Sequence, residues 1–318
     1  MKTEKKEKIN QLLKGIIIGE KQHYQNMIVY PLYGNINRKV KYFSMAKAFD
    51  KGIIEVSETS VSGSVPELKV INKGKKRVLM IEGEELAGAK QNRVLNTTIL
   101  LKKNSETIIP VSCTEAGRWS NSSSNFTDSE VFAMPELRKK KTRSVHHSLK
   151  KDKSFSSDQR EVWNHLDSLY SVAHIELPTS AMKGMYDKKK QDTESYIQAF
   201  SCGQRQKGIL VIVNGEVVGF DYVSSSKVFA RIFSKLIQSY AIEADLNKHK
   251  EAKEEQSVVH FINSLMEADV EVFKSPGHGY DCRLSGKKIT GSALVYKNEV
   301  IHFSAFPLLN NKYRKIFS

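Results

Sequence analysis

The 318-residue chain is poor in the residues that build disulfides, membrane spans and cofactor loops. It has three cysteines, Cys113, Cys202 and Cys282, far apart and without CxxC spacing. That pattern excludes a disulfide-stapled scaffold and points to reduced thiols in a cytoplasmic protein. No apolar run approaches the roughly 18 residues of a membrane-spanning helix. The start, MKTEKKEKINQLLKGIII, mixes acids with lysines, and its apolar run is too short for a signal segment. GxGxxG, Walker, HExxH and GxSxG patterns are all missing. The commonest dinucleotide, P-loop, zinc-protease and serine-hydrolase signatures therefore do not apply. Acids are the minority, 35 Asp and Glu against 50 Lys and Arg, for a net charge of +15.

What is present describes a folded chain. Apolar residues make up 40% and aromatics 9%, above the disordered range. The length suits one large or two ordinary domains. Helical spacing is expected over 9–18, 44–51, 158–173, 188–200 and 227–244, and in the charged stretch up to residue 266. Short β runs are expected at 27–33, 53–58, 68–71, 77–81, 94–102 and 107–113. Pro31 marks the first of these as an edge strand. KNSE joins the last two as a hairpin. Asn214-Gly215 between apolar runs is a strong hairpin signal, and Lys297-Asn298-Glu299 marks another. VLMIEGEELAG, ILVIVNGEVVG and ALVYKNEVIHF share an order of apolar strand, turn and Glu. This is either an internal repeat or the common grammar of hairpins. Strands first and helix–hairpin alternation later predict an α+β fold of short antiparallel strands and hairpins packed with amphipathic helices. The expected layout is an N-terminal helix (1–24), a main domain (25–245) with a basic flexible insertion near 120–157, and a helix–hairpin extension (246–318) packed on the same domain.

Within that insertion, RKKKTRSVHHSLKKDK from Arg138 to Lys153 holds eight Lys or Arg and one Asp, a local net charge of +7. The segment is expected to be a mobile, solvated arm, with weak, salt-sensitive nucleic-acid contact as its functional reading.

The chemistry concentrates in IEGEELAGAKQNRVLNTTI, residues 81–99. A connector between two strands needs only a turn. This one carries Glu82, Glu84 and Glu85, then Lys90, Gln91, Asn92 and Arg93. Crowded carboxylates repel, so one can hold a proton near neutral pH, or two can share a divalent cation. If the chain stays extended, Glu82 and Glu84 share a face and Glu85 takes the other. Arg93 offers a planar fork for phosphate, and Gln91 and Asn92 can orient a base or ribose edge. Gly83 and Gly88 permit close backbone approach to a ligand. The following hairpin returns the chain to the same end, placing 92–94 opposite 113–116. Glu115, Arg118 and Trp119 then join the site, the Trp as a stacking face. Cys113 reads as a buried small residue rather than a nucleophile. Candidate catalytic residues are Glu82, Glu84 and Glu115. Candidate ligand-binding residues are Lys90, Gln91, Asn92, Arg93, Arg118 and Trp119. Glu82 and Glu84 are the candidate metal ligands, for Mg²⁺.

These same blocks, Glu82 to Leu86, Gly88 to Arg93, Asn96-Thr97-Thr98, Pro110 to Cys113 and Glu115 with Gly117-Arg118-Trp119, closely resemble the ARPP family, named for its association with ADP-ribosylglycohydrolases and rhodanese-phosphatases. The likeness is expected over about 25–245. Two positions depart from the family pattern. Glu82 stands where it reads Asp, and Ala116 where it reads Gln. The resemblance implies a role in ADP-ribose, nucleotide or RNA-end metabolism, in a prokaryotic conflict or defence setting. Two readings stand side by side: a metal-assisted or acid/base hydrolase of a phosphorylated nucleotide-like ligand, and a non-enzymatic nucleotide sensor or nucleic-acid adaptor.

Overall fold

The computed structural model describes residues 1–34, 40–60, 66–88, 90–116, 125–248 and 255–308. The fold is α+β, and every strand pair among these residues is antiparallel except Tyr42–Ser44 with Arg77–Met80. The chain divides into two compact units that interleave in sequence: Met1–Val40 with Gln191–Lys274 and Gly279–Asn311, and Lys41–Lys190 with Ser275–His278. Among the described residues no helix is long and apolar enough to cross a membrane.

The first unit is built on a nine-stranded antiparallel sheet. Strand Met27–Gly34 pairs with Ile16–Ile18 and Gln22–Tyr24 on one side and with Gly208–Val213 on the other. It is thus interior to the sheet, not the edge that Pro31 suggested. The Pro31 carbonyl accepts from Gly19 N at 2.8 Å. A strand residue's N and C=O point the same way, so the missing donor of Pro31 faces the gap between the two short strands. The expected helix over 9–18 is helix Lys2–Lys14, stopped at Gly15, after which three β-branched isoleucines form a strand. Asn214-Gly215 turns its hairpin with both φ angles positive, 49° and 80°, as the type I′ geometry requires. Lys297-Asn298 does the same between Ile289–Tyr296 and Glu299–Pro307. Helices Lys2–Lys14 and Val258–Glu267 share one apolar cluster with the sheet.

The second unit holds a closed six-stranded barrel, in the order Ser105–Cys113, Glu67–Asn72, Ile54–Glu58, Phe126–Phe132, Glu84–Gly88, Arg93–Leu95, and a separate three-stranded sheet. Val56, Leu68, Val70, Leu86, Leu95, Ile109, Val111 and Phe126 belong to its core. Two local expectations change here. VLMIEGEELAG is not a hairpin: Arg77–Met80 lies in the small sheet and Glu84–Gly88 in the barrel. The expected strand 94–102 likewise splits into Arg93–Leu95 of the barrel and Ile99–Leu101 of the small sheet. Asn96 makes the break, its side chain engaged by Ser112, Lys141 and the Phe155 carbonyl. Of the three look-alike segments, only the two in the first unit are hairpins, so no three-fold repeat exists.

The basic segment 138–153 is not a mobile arm. It lies in helix Pro135–Asp152, started by Pro135 in its first turn and closed by Lys153 in the left-handed region. Leu137, Val145 and Leu149 are buried, and so are Arg138 and Lys141. The apolar spacing 137–145–149 docks one face, which buries Arg138 and Lys141 with it, while Arg143, Lys150 and Lys151 stay exposed. Helix Gln159–Val172 follows, capped by Asp158, whose carboxylate accepts from Arg160 N and Glu161 N.

Candidate functional site

The two polar blocks meet where strand register brings them. Arg93 pairs with Cys113 and Val94 with Ser112, and Thr114 N donates to the Asn92 carbonyl at 3.0 Å. Gln91 joins them: its amide donates to the Glu115 carbonyl at 2.9 Å, and its Oε1 accepts from Arg93 Nη1 at 3.0 Å. The Asn92 backbone N–H faces Glu115 Oε2 at 3.4 Å, and its side-chain oxygen accepts from Gly88 N. The arrangement expected for 92–94 and 113–116 is present.

Residues paired across a ladder share a face of the sheet. Leu86, Arg93 and Cys113 therefore lie on one face, along with core residues Leu95 and Val111. Arg93 is fully buried. Nη1 also donates to the Cys113 sulfur at 2.9 Å, and Nη2 lies 3.7 Å from Glu58 Oε1. The planar fork expected to clamp a phosphate is thus engaged by protein groups. Burial pushes the Cys113 thiol up, against the opposing pull of Arg93. This keeps it protonated at neutral pH, as a small buried residue and not a nucleophile.

The opposite face carries Glu85, which pairs with Val94. Glu85 Oε1 accepts from Thr114 Oγ1 at 2.6 Å, and its other oxygen is buried with no donor among the described residues. Burial pushes this carboxyl up to about 7, against the hydrogen bond from Thr114, the effect of Ser129 and the charge of Lys183; Glu115 adds to the rise. The surroundings come from helix Met182–Lys188 and its neighbour. Met182 N donates to the Thr114 carbonyl at 2.8 Å, and Tyr170 Oη donates to the Ala181 carbonyl at 2.6 Å. Tyr170 is pushed up to about 12, first by burial and then by Asp187, Glu85 and Glu115. Lys183 ion-pairs with Asp187 at 3.3 Å and remains over a third exposed.

The family model for the ARG and Rhodanese-Phosphatase-superfamily-associated Protein domain matches residues 15–306. The chain belongs to this family. The match spans both units and extends past the 25–245 expected from the motif blocks. No curated protein and no solved structure matches the chain.

In this ARPP domain the remaining predicted residues divide. Glu84 Oε2 accepts from Ile81 N at 2.8 Å, closing its own turn. Glu82 is buried, its backbone N–H donating to Thr98 Oγ1, and it lies close enough to Lys141 to favour that amine's charged form. Lys90 is half-buried in the turn before Gln91. Arg118 and Trp119 lie outside the described residues. Among the described residues no three His, Cys, Asp or Glu side chains are grouped to hold a metal ion. Gly83, at φ 90°, brings its backbone against a protein side chain: an added Cβ would fall 2.6 Å from Arg138 Cδ.

Two buried titratable groups of the ARPP domain escaped the sequence reading. Glu85 was visible but placed on the face away from Glu82 and Glu84 by simple alternation. The positive φ at Gly83 breaks that count, and Glu84 turns back on its own loop. Lys141 was counted with the solvated charges. Its Nζ donates to Asn96 Oδ1 at 2.7 Å and lies 3.4 Å from the Val94 carbonyl. Burial pushes it down to about 7, opposed by Glu82 and Cys113. The signal for it was the helical spacing of Leu137, Lys141, Val145 and Leu149. Gln159 completes the frame, its amide making two bonds to the Cys113 backbone, at 2.8 and 2.9 Å.

Proposed function

We propose that this ARPP domain binds a phosphorylated, nucleotide-like ligand beside Gln91, Asn92 and Glu115 and hydrolyses it by acid–base chemistry, with Glu85 holding the transferred proton. The observation that carries this reading is Glu85 itself. It is a fully buried carboxyl with one oxygen fixed by Thr114, the other without a donor among the described residues, and an affinity for protons near neutral pH. Groups tuned in this way gather at sites that move protons. Glu115 supplies a second carboxyl within electrostatic reach. Two carboxyls in different surroundings divide the work. Protonated Glu85 gives its proton to the leaving oxygen, and Glu115, the more exposed, takes one from the attacking water. Lys183 offers the accessible positive charge for a phosphate. Arg93 stiffens the strands that hold Gln91 and Asn92.

A sensor without turnover is the second reading. It is favoured by the engagement of Arg93 with Gln91, Cys113 and Glu58, a network that a structural core also needs. One experiment separates the two. The protein is screened by thermal shift against ADP-ribose, NAD and nucleotides, with and without Mg²⁺, and the hits are assayed for hydrolysis. Hydrolysis that falls at least ~100-fold in Glu85→Gln while binding persists supports the enzyme. Binding without hydrolysis supports the sensor. No shift with any of these ligands overturns both.

A further inference from the structure

Helix Pro135–Asp152 carries one amine into a buried polar network of the second unit. Lys141 Nζ donates to Asn96 Oδ1 at 2.7 Å, across 45 residues of chain, and lies 3.4 Å from the Val94 carbonyl. Asn96 directly follows strand Arg93–Leu95. Its side-chain oxygen also accepts from Ser112 Oγ at 2.7 Å, and its Nδ2 donates to the Phe155 carbonyl at 3.1 Å. These bonds fix which end of the amide faces the amine. Lys141, Asn96, Ser112 and Glu82 are all buried, and Glu82 lies within electrostatic reach of Nζ.

Both acceptors that Lys141 reaches are neutral carbonyls. Burial therefore acts against its charge and brings the amine down to about 7, so a neutral fraction exists at neutral pH. A desolvated, neutral lysine is a nucleophile. The group it touches is an electrophile: Asn96 Cγ is bonded to the oxygen that Lys141 and Ser112 both polarise. Holding the two in contact in a closed interior replaces a slow encounter by a step within one molecule.

We propose that Lys141 and Asn96 join in an intramolecular isopeptide bond. Nζ moves from the oxygen to the adjacent carbon and attacks Asn96 Cγ. The Ser112 hydroxyl donates to the oxygen as negative charge gathers there. Glu82 takes a proton from Nζ and passes it to Nδ2, which leaves as ammonia. One Nζ–Cγ bond forms and one Cγ–Nδ2 bond breaks, the Glu82 carboxylate is regenerated, and no other reactant is needed. Before the bond forms Lys141 titrates as a free amine; afterwards it no longer titrates. The product ties helix Pro135–Asp152 to the barrel. Glu85 and Glu115 take no part, so the bond is independent of the hydrolytic reading.

The test is mass spectrometry of the purified full chain, incubated at a pH above the Lys141 value. The wild type should lose one ammonia, about 17 Da. After denaturation and trypsin digestion it should give a single peptide joining residues 94–102 to 141–143, because a bonded Lys141 is no longer a cleavage site. Lys141→Met should keep the full mass. Glu82→Gln preserves shape and should slow the loss at least ~100-fold, with folding confirmed by circular dichroism. A wild type that keeps its full mass and yields no joined peptide overturns the proposal. An equal loss of ammonia in Lys141→Met overturns it too, since that places the reaction within the backbone of Asn96 itself.

Discussion

Thr114 Oγ1 donates to Glu85 Oε1 at 2.6 Å, joining two polar blocks that lie 29 residues apart in the chain. The bond fixes a carboxyl on the face of the barrel strands opposite Arg93.

The pH dependence of stability should reveal Glu85. Its proton affinity rises from an ordinary value of 4.5 to about 7 on folding. The folded state therefore holds the extra proton between these values, and stability falls as pH rises through that window. Above it the cost is complete, on the order of 3 kcal/mol. Glu85→Gln, which keeps an oxygen for Thr114, should match the wild type at about pH 4 and exceed its stability by that order at about pH 8. Urea unfolding at the two pH values measures this, and equal stability at about pH 8 would show Glu85 to be ordinarily ionised.

Lys141 should give the opposite slope in a higher window. Its amine falls from 10.5 to about 7 on folding, so the unfolded chain holds the extra proton between them. Stability then rises with pH through that range, and the cost of the buried charge is complete below it. Lys141→Met should be tolerated or stabilising at about pH 6. Lys141→Arg, which cannot release its proton, should lower the melting temperature sharply. Scanning calorimetry of both variants across the window checks the sign.

Helix Pro135–Asp152 should behave as core. Leu149→Ala should cost about 2–4 kcal/mol, as expected for a buried leucine. Limited trypsin digestion of the native protein should leave the peptide bonds after Arg138 and Lys141 intact. Early cleavage there, read by mass spectrometry, would restore the mobile-arm reading.

Arg93→Lys keeps the charge and loses the fork that reaches Gln91, Cys113 and Glu58. The loss should be about 1–3 kcal/mol of stability in urea unfolding, with the affinity of any ligand found in the screen little changed. A large loss of affinity with stability intact would make Arg93 a direct anion ligand.

The sequence by itself determined much of the local structure. Helix Met45–Asp50 starts at Ser44, whose hydroxyl accepts from Lys47 N, and is followed by Gly52 at φ 61°; Asn214-Gly215 dictates its turn, and Asp158 starts its helix, because each of these signals acts through neighbouring backbone atoms. The meeting of 92–94 with 113–116 was also legible, although only Arg93–Leu95 pairs with Ser105–Cys113 and the intervening Ile99–Leu101 leaves for the small sheet. What each strand joins, and what each charge meets, was decided only by tertiary structure. Arg77–Met80 and Glu84–Gly88 read as one hairpin but enter different sheets, because the partner of an apolar strand is chosen by the whole core. Met27–Gly34 looked like an edge because Pro31 lacks a donor, and only the gap between its two short neighbours shows where that absence falls. Lys141 and Glu85 look like any surface charges in the sequence. Their burial, and with it their proton affinities near neutral pH, comes from helices and strands that arrive from elsewhere in the chain, and desolvation depends on those surroundings rather than on the residues beside them.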